Sequence, residues 1–287
     1  MSFDGTLCSN LVHDLNNELL NSRISKIAQP ENDELLFTIK SQNGQRRLAI
    51  SANASLPFLY LTEQNKPSPM VAPNFCMVLR KHIANGRITK ISQPSLERII
   101  IFTIEHLDEM GDLKEKHLIV ELMGKHSNII FCNENNMIID SIKHVGSNMS
   151  SVREVLPGRE YFIPQTTDKL NPLTTDEKEF YEVLTKPDTC AKVLYASYTG
   201  ISPQAANEIC FRCDIEADLP VQSLDGDGKK KLFNSFEGFM DNLKNNNYKP
   251  NIVYENEEPI AFSSYECSIY KDKRIVYFDS ISEVLET

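Results

Sequence analysis

Long apolar runs are missing from this chain. None approaches the roughly 20 residues of a membrane-spanning helix, so no membrane partner is assigned. The opening MSFDGTLCSNLVHDL has no basic segment and sets Asp4 and Asp14 among its apolar residues. A secretory signal reads otherwise, and a cytoplasmic protein is the expectation. Catalytic motifs are missing too: there is no G-x-S-x-G, no P-loop, no G-x-G-x-x-G after a strand and no H-E-x-x-H. Spacing therefore offers no nucleophile–base pair. A disulfide framework is equally hard to find, because seven scattered cysteines, an odd number, suit a reducing compartment. Cys210 and Cys213 form one C-x-x-C without a second pair or a histidine at zinc spacing. Within the helical pattern AANEICFRCDI they read as two small buried thiols. His117 and His126 flank Glu121-Leu-Met-Gly, but a nine-residue gap through a turn specifies no ligand set. No metal and no cofactor are assigned.

What is present is a soluble globular composition, 41% hydrophobic and 24% charged over 287 residues, enough for one large domain or two ordinary ones. The net charge of −10 argues against indiscriminate nucleic-acid binding. It is unevenly spread: 18 Lys and Arg stand against 19 Asp and Glu up to Leu170, and 12 against 21 beyond. The acidity belongs to the second part, and the near-neutral first part is free to carry a basic patch for a specific polyanion.

That patch coincides with a repeat. Residues 23–30 read RISKIAQP and residues 87–94 read RITKISQP. Arg80, Lys81, His82, Arg87, Lys90 and Arg98 crowd around the second copy, with Glu97 the single acid. Around each copy the pattern is a helix followed by four β-type segments. In the first, Asp4 can cap a helix through Leu7, Leu11, Leu15 and Leu19, and segments 23–28, 35–40, 47–51 and 58–62 follow, with a hairpin turn at Asn43-Gly44. In the second, a helix over 74–84 precedes segments 97–105, 116–122 and 128–132 besides the repeat itself, with 138–143 after them. Neither half can bury its apolar face alone. The expected fold is therefore α+β, a duplicated helix-plus-four-strand unit forming a two-sheeted β domain.

Beyond Asn171 the texture is helical, with starts at Thr175, Asp188, Pro203 and Gly228. Residues 198–203 (Tyr-Thr-Gly-Ile-Ser-Pro) read either as a helix-hairpin-helix turn, offering Gly200 and helix amides to a phosphate, or as an ordinary turn between packed helices. β-type segments return at 252–255, 260–264 and 274–278, and Ser282 opens a capped helix that the chain does not complete, which suggests a fragment. Glu97-Arg98 reads either as an exposed ion pair of little worth or as an arginine at a strand entrance placed for bidentate phosphate contacts. At the matching positions the first copy has Asp33-Glu34, so the second copy carries a charge reversal.

Four stretches carry a resemblance. Pro73-Asn-Phe-Cys-Met-Val-Leu-Arg-Lys-His82, Leu96-Glu-Arg-Ile99, Glu121-Leu-Met-Gly-Lys-His-Ser-Asn-Ile129, and Ile138-Ile-Asp-Ser-Ile-Lys-His144 with Leu156-Pro-Gly158 together resemble the NFACT family. The branch is the bacterial RqcH one, long described as fibronectin- or fibrinogen-binding proteins. In its terms the chain divides into a β-rich NFACT-N domain over 1–170, a helical helix-hairpin-helix domain over 171–250, and a returning β segment with a truncated helix over 251–287. The β domain would be similar to the N-terminal domain of formamidopyrimidine-DNA glycosylases. Those enzymes use an N-terminal proline, whereas this chain begins Met1-Ser2-Phe3, and their chemistry is not carried over.

The resemblance implies a ribosome-associated quality-control factor. Such a factor binds the large ribosomal subunit carrying peptidyl-tRNA and recruits tRNA, alanyl-tRNA in bacteria, for template-free C-terminal tailing of stalled chains. Peptide-bond chemistry there belongs to the ribosome, so no enzyme is expected. The family's tRNA-recruiting Asp-Arg pair falls on Glu97 and Arg98, Glu97 departing by one methylene, and its N-terminal aspartate falls on Asp4. Glu121, Lys125, His126 and Asn128 match a second family surface, with Lys125 where arginine is commoner. With Arg80, Lys81, Arg87 and Gly200 they are candidate RNA- or ribosome-binding residues. The alternative is a surface adhesin for fibronectin or fibrinogen.

Overall fold

The computed structural model describes residues 3–164 and 168–287. Met1 and Ser2, on which the departure from the glycosylase proline rests, lie outside the described residues. The chain forms two compact units from interleaved segments: Leu11–Gln93, Ile99–Thr166 and Leu285–Thr287 make a β unit, and Met1–Asn10, Pro94–Arg98 and Thr167–Val284 make a helical unit.

The β unit carries the duplication. Helix α1 (Gly5–Leu19) leads to β1 (Arg23–Glu31), β2 (Glu34–Ser41), β3 (Gly44–Ser51) and β4 (Phe58–Thr62). Helix α2 (Asn74–Ile83) leads to β5 (Arg87–Ser92), β6 (Ile99–Leu107), β7 (Leu113–Glu121) and β8 (Asn128–Asn133), with β9 (Ile138–Ser141) appended. The strand order β4-β3-β2-β1-β5-β6-β7-β8-β9 is antiparallel between all neighbours. The two meanders touch through one register pair, Arg23↔Arg87. Their apolar faces meet where Ile24, Phe37, Ile39 and Leu48 of the first adjoin Ile88, Phe102, Ile104 and Leu118 of the second. Alternation along β1 and β5 makes this possible: Ile24, Ile27, Ile88 and Ile91 are buried while Arg23, Lys26, Arg87 and Lys90 are exposed. A side chain such as Phe102, 2% exposed, contributes about 1.5–3 kcal/mol by its burial. The α+β class and the duplicated helix-plus-strand unit read from the sequence are observed. The two copies do not make two separate sheets, however: β1 and β5 join them edge to edge in one nine-stranded antiparallel sheet.

Strand ends shift by up to three residues from the expected segments, and one shift bears on the site. Segment 97–105 was expected to begin a strand at Glu97, but β6 starts at Ile99. Residues 94–97 form a turn closed by the Glu97 amide on the Pro94 carbonyl (3.0 Å), with Ser95 at φ 50°. In the first copy the same positions make a tight hairpin, with Glu31 opposite Glu34.

The helical unit follows its caps. Asp176 starts α3 (Glu177–Val183), Thr189 α4 (Cys190–Ser197), Ser202 α5 (Pro203–Arg212) and Asp225 α6 (Gly226–Lys244), each side chain accepting from a backbone amide of the first turn. A three-stranded sheet, β11-β10-β12, follows from β10 (Asn251–Glu255), β11 (Glu258–Ser263) and β12 (Arg274–Tyr277). Helix α7 (Ile281–Glu286) begins just before Ser282, and its capping oxygen comes from Ser280, which accepts from the Glu283 amide at 3.3 Å. Phe180 and Tyr198 both pack on Phe236, at 5.0 and 4.8 Å between ring centres. Leu96 belongs to this core, which is what draws 94–98 into the helical unit.

Candidate functional site

Asp4 caps α1 as the sequence suggested. Its Oδ1 accepts from the Leu7 amide (3.1 Å) and the Thr6 hydroxyl (2.6 Å). Its Oδ2 accepts from the Ser202 hydroxyl (2.6 Å), and the Ser202 oxygen accepts from the Ala205 amide (3.1 Å) at the start of α5. Asp4 is only 7% exposed. Burial pushes its carboxyl above the usual range, and the bonds from Ser202 and Thr6 pull it back.

Next to this pair three backbones meet. The Gly5 amide donates to the Gly200 carbonyl at 3.0 Å, and a Cβ at either glycine would overlap the carbonyl oxygen of Leu96. Gly200 holds φ +76°, a left-handed conformation glycine adopts without cost. Gly200 therefore sits in close backbone packing, and the amide of Ala205 in the following helix already has a partner in Ser202. Residues 198–202 thus connect α4 to α5, with Gly200 packed against the backbone of residues 5 and 96.

Leu96 is fully buried, and the two residues after it emerge: Glu97 is half-buried and Arg98 exposed. Arg98 is felt by its neighbours. Burial and the Asp4 charge push the Cys8 thiol up while Arg98 opposes them, so Cys8 is no nucleophile. Lys169 donates to the Tyr195 carbonyl at 2.9 Å, and its ammonium is pushed down by burial and then by Arg98, against Glu97. The structure thus brings Asp4, Glu97, Arg98 and Gly200 into one compact unit, with Lys169 beside the charged pair. An exposed guanidinium there offers a planar donor fork suited to phosphate oxygens. Sequence reasoning missed Ser202, although a serine directly before Pro203 at a helix start is a cap signal. For Lys169 there was none.

The other candidates lie in the β unit and do not form one cluster. Arg80 donates to the Ile27 carbonyl (2.9 Å), Lys81 lies 3.9 Å from Glu109, and Arg87 pairs with Glu105 at 2.7 Å. Lys125 and His126 are exposed in a single 3-10 turn after β7. Glu121 and Asn128, by contrast, are interior. Glu121 is held by Arg153 and by the Tyr161 hydroxyl (2.9 Å), and burial pushes its carboxyl up. Asn128 donates to the Lys143 carbonyl (2.9 Å) and accepts from the Lys143 amide (3.1 Å). Lys143 in turn reaches the carbonyls of Ala52 and Ser127. Any part Glu121 and Asn128 have in binding therefore passes through what they hold in place. His117 bonds Asn136 (3.2 Å) and Glu115 (3.3 Å), while Glu121 turns inward, so that trio does not converge. Burial pushes the Cys210 thiol up to about 12 and Cys213 also upward, as expected of packed thiols. Among the described residues no helix is long and apolar enough to cross a membrane.

Residues 4–287 match the family model of the NFACT N-terminal and middle domains. The Rqc2 homolog RqcH of Bacillus subtilis is 34% identical over 288 residues, covering 100% of this chain and 48% of the relative. The archaeal Rqc2 homolog of Methanocaldococcus jannaschii is 30% identical, covering 96% of this chain and 40% of its own length. The chain thus spans about half the length, or less, of these curated relatives. Among solved structures, the fibrinogen binding protein from Staphylococcus aureus superposes with a TM-score of 0.83 at 29% identity, covering 100% of this chain and 98% of that one.

Proposed function

The chain belongs to the NFACT family, and from that premise we propose that it works within a ribosome-associated quality-control factor. In this reading it binds the large ribosomal subunit carrying peptidyl-tRNA and helps recruit a tRNA, alanyl-tRNA, for template-free tailing of a stalled chain. The tRNA meets Arg98 and Glu97, and Asp4 acts from beneath, by fixing the start of α1. The module positions RNA, and peptide-bond formation is left to the ribosome. Its names elsewhere in the family, RqcH and ribosome quality control complex subunit 2 of Saccharomyces cerevisiae, support the class.

One observation carries the site. The N-terminal residues and residues 94–98, far apart in sequence, belong to one compact unit, where Asp4 is consumed internally and Arg98 remains at the surface. Arg98→Ala in the full-length protein should weaken binding of an alanine-accepting tRNA and tail synthesis while leaving Tm unchanged. Equal loss of folding would make Arg98 structural.

The similarity to a fibrinogen binding protein supports a second reading, a surface adhesin for fibrinogen or fibronectin. Fractionation separates the two. Recovery with ribosomal particles and none at the cell surface removes the adhesin, and surface recovery with no ribosomal pool removes the quality-control reading.

A further inference from the structure

The repeat builds a local two-fold axis. The Ile24 amide donates to the Gly86 carbonyl (2.9 Å) and the Ile88 amide to the Ser22 carbonyl (2.9 Å). The Asn21 amide donates to the Ile88 carbonyl (2.7 Å) and the Asn85 amide to the Ile24 carbonyl (2.9 Å). Exchanging the two copies maps each bond onto its twin. The turns match as well, with Asn21 at φ 63° and Asn85 at φ 62°. Both strands then shift register at the same place, between Ile24 and Lys26 and between Ile88 and Lys90.

On the axis stands the pair Arg23↔Arg87. The bonds just described flank these residues without joining them, so theirs is the narrow, non-hydrogen-bonded type of pair, with Cα atoms about 4.5 Å apart and side chains at their closest. Both arginines are exposed. Lys40 lies directly opposite Arg23 on its other side, and Lys26 and Lys90 follow beyond the matched shifts, all exposed. Arg23, Lys26, Lys40 and Lys90 have no ion-pair partner among the described residues. The acids on that face are Glu105, bound to Arg87, and beyond it Glu115, bound to His117. At the far end of β1 and β2, Glu31 lies opposite Glu34, the latter bound to Lys66.

Like charges placed directly opposite one another destabilise a sheet. A chain of net charge −10 nevertheless keeps two arginines in a narrow cross-strand pair, of which only Arg87 has an acid beside it. An anion seated between them relieves the repulsion, and guanidinium forks suit the paired oxygens of a phosphodiester. Cations spread on both sides of the axis fit a run of phosphates better than one small ion. We propose that the outer face around Arg23 and Arg87 is a docking surface for the phosphate backbone of large-subunit ribosomal RNA. The choice of RNA rests on the function proposed above. That reading places the tRNA at Arg98, in the other compact unit, and leaves the ribosomal RNA for this face.

The test uses the full-length protein with purified large subunits and, separately, an alanine-accepting tRNA, across a salt series. The double variants Arg23→Gln with Arg87→Gln and Lys26→Gln with Lys90→Gln should each weaken subunit binding about tenfold and lower the salt slope by about two. Each should leave tRNA affinity within about twofold. For the arginine pair Tm should change little, because the repulsion removed offsets the exposed Arg87–Glu105 pair lost with it. Arg23→Lys with Arg87→Lys keeps the charge and should retain most of the salt slope, which separates electrostatics from folding. Unchanged subunit affinity and slope overturn the proposal, as does a tRNA loss equal to the subunit loss. If Arg98→Ala leaves tRNA binding intact while the double variants weaken subunit binding, the tRNA site fails and this surface stands.

Discussion

Ser202 donates its hydroxyl to the carboxylate of Asp4 at 2.6 Å, so the cap of α1 is held by the cap of α5, 198 residues away in sequence. Ser202→Ala removes both interactions at once. Loss of the α5 cap costs about 0.5–2 kcal/mol, and a buried carboxylate oxygen without its donor costs a further 1–3 kcal/mol or so. Chemical denaturation should show a loss of roughly 2–4 kcal/mol, and Ser202→Thr, which keeps the hydroxyl, should recover most of it. A loss no larger than the roughly 0.5–2 kcal/mol of the α5 cap alone, with no destabilisation added at Asp4, would mean that the two caps stand independently.

Glycine position decides the next comparison. Gly200 combines φ +76° with a Cβ position overlapping the Leu96 carbonyl, whereas Gly158 has φ +82° and open space around it. Gly158→Ala should therefore cost only the backbone strain, about 1–2 kcal/mol. Gly200→Ala adds a backbone collision and should cost about 3 kcal/mol or more. Equal losses in urea unfolding would show that 94–98 yields to make room.

The same contact explains what the sequence concealed. Strand faces were legible from alternation along β1 and β5. Helix starts were legible to within about two residues, since the expected starts Thr175, Asp188 and Gly228 lie close to the observed caps Asp176, Thr189 and Asp225. The departure of 94–98 from the sheet was not, since Leu96 finds its partners among residues such as Tyr198 and Phe236. One clue lay within the repeat: Leu96 stands where the first copy has Asn32, an apolar residue that a surface hairpin does not need. Glu121 misled in the opposite way. A carboxylate near Lys125 and His126 reads as surface, and its actual partners, Arg153 and Tyr161, lie 32 and 40 residues on, at no spacing a periodicity reveals.

That buried pair yields its own prediction. Glu121 is inaccessible and the Arg153 side chain 10% exposed, so Arg153→Met strands a charge inside the β unit. Breaking such a pair from one side costs about 3–5 kcal/mol, whereas Tyr161→Phe removes one hydrogen bond and should cost about 1 kcal/mol. Because the two changes share Glu121, the double variant should lose less than the sum of the single losses. Strict additivity in a double-mutant cycle would show the contacts to be independent.

His82 makes stability depend on pH. It sits 5.7 Å from the Phe131 ring, and its pKa is pushed below the ordinary 6.5 first by burial and then by Lys116, Lys81 and His106, against Glu109. The folded chain therefore binds fewer protons at this site than the unfolded chain once the pH drops below 6.5. Stability is fully present above that value and is lost as the pH falls through the lower folded pKa. His106 is shifted in the same direction, again chiefly by burial. His82→Leu should thus flatten the decline of Tm between pH 7 and 5 without abolishing it, leaving the part owed to His106, and the double variant with His106→Leu should flatten it further. An unchanged slope in the single variant would show that the His82 ring protonates freely in the folded chain and takes no part in the acid sensitivity.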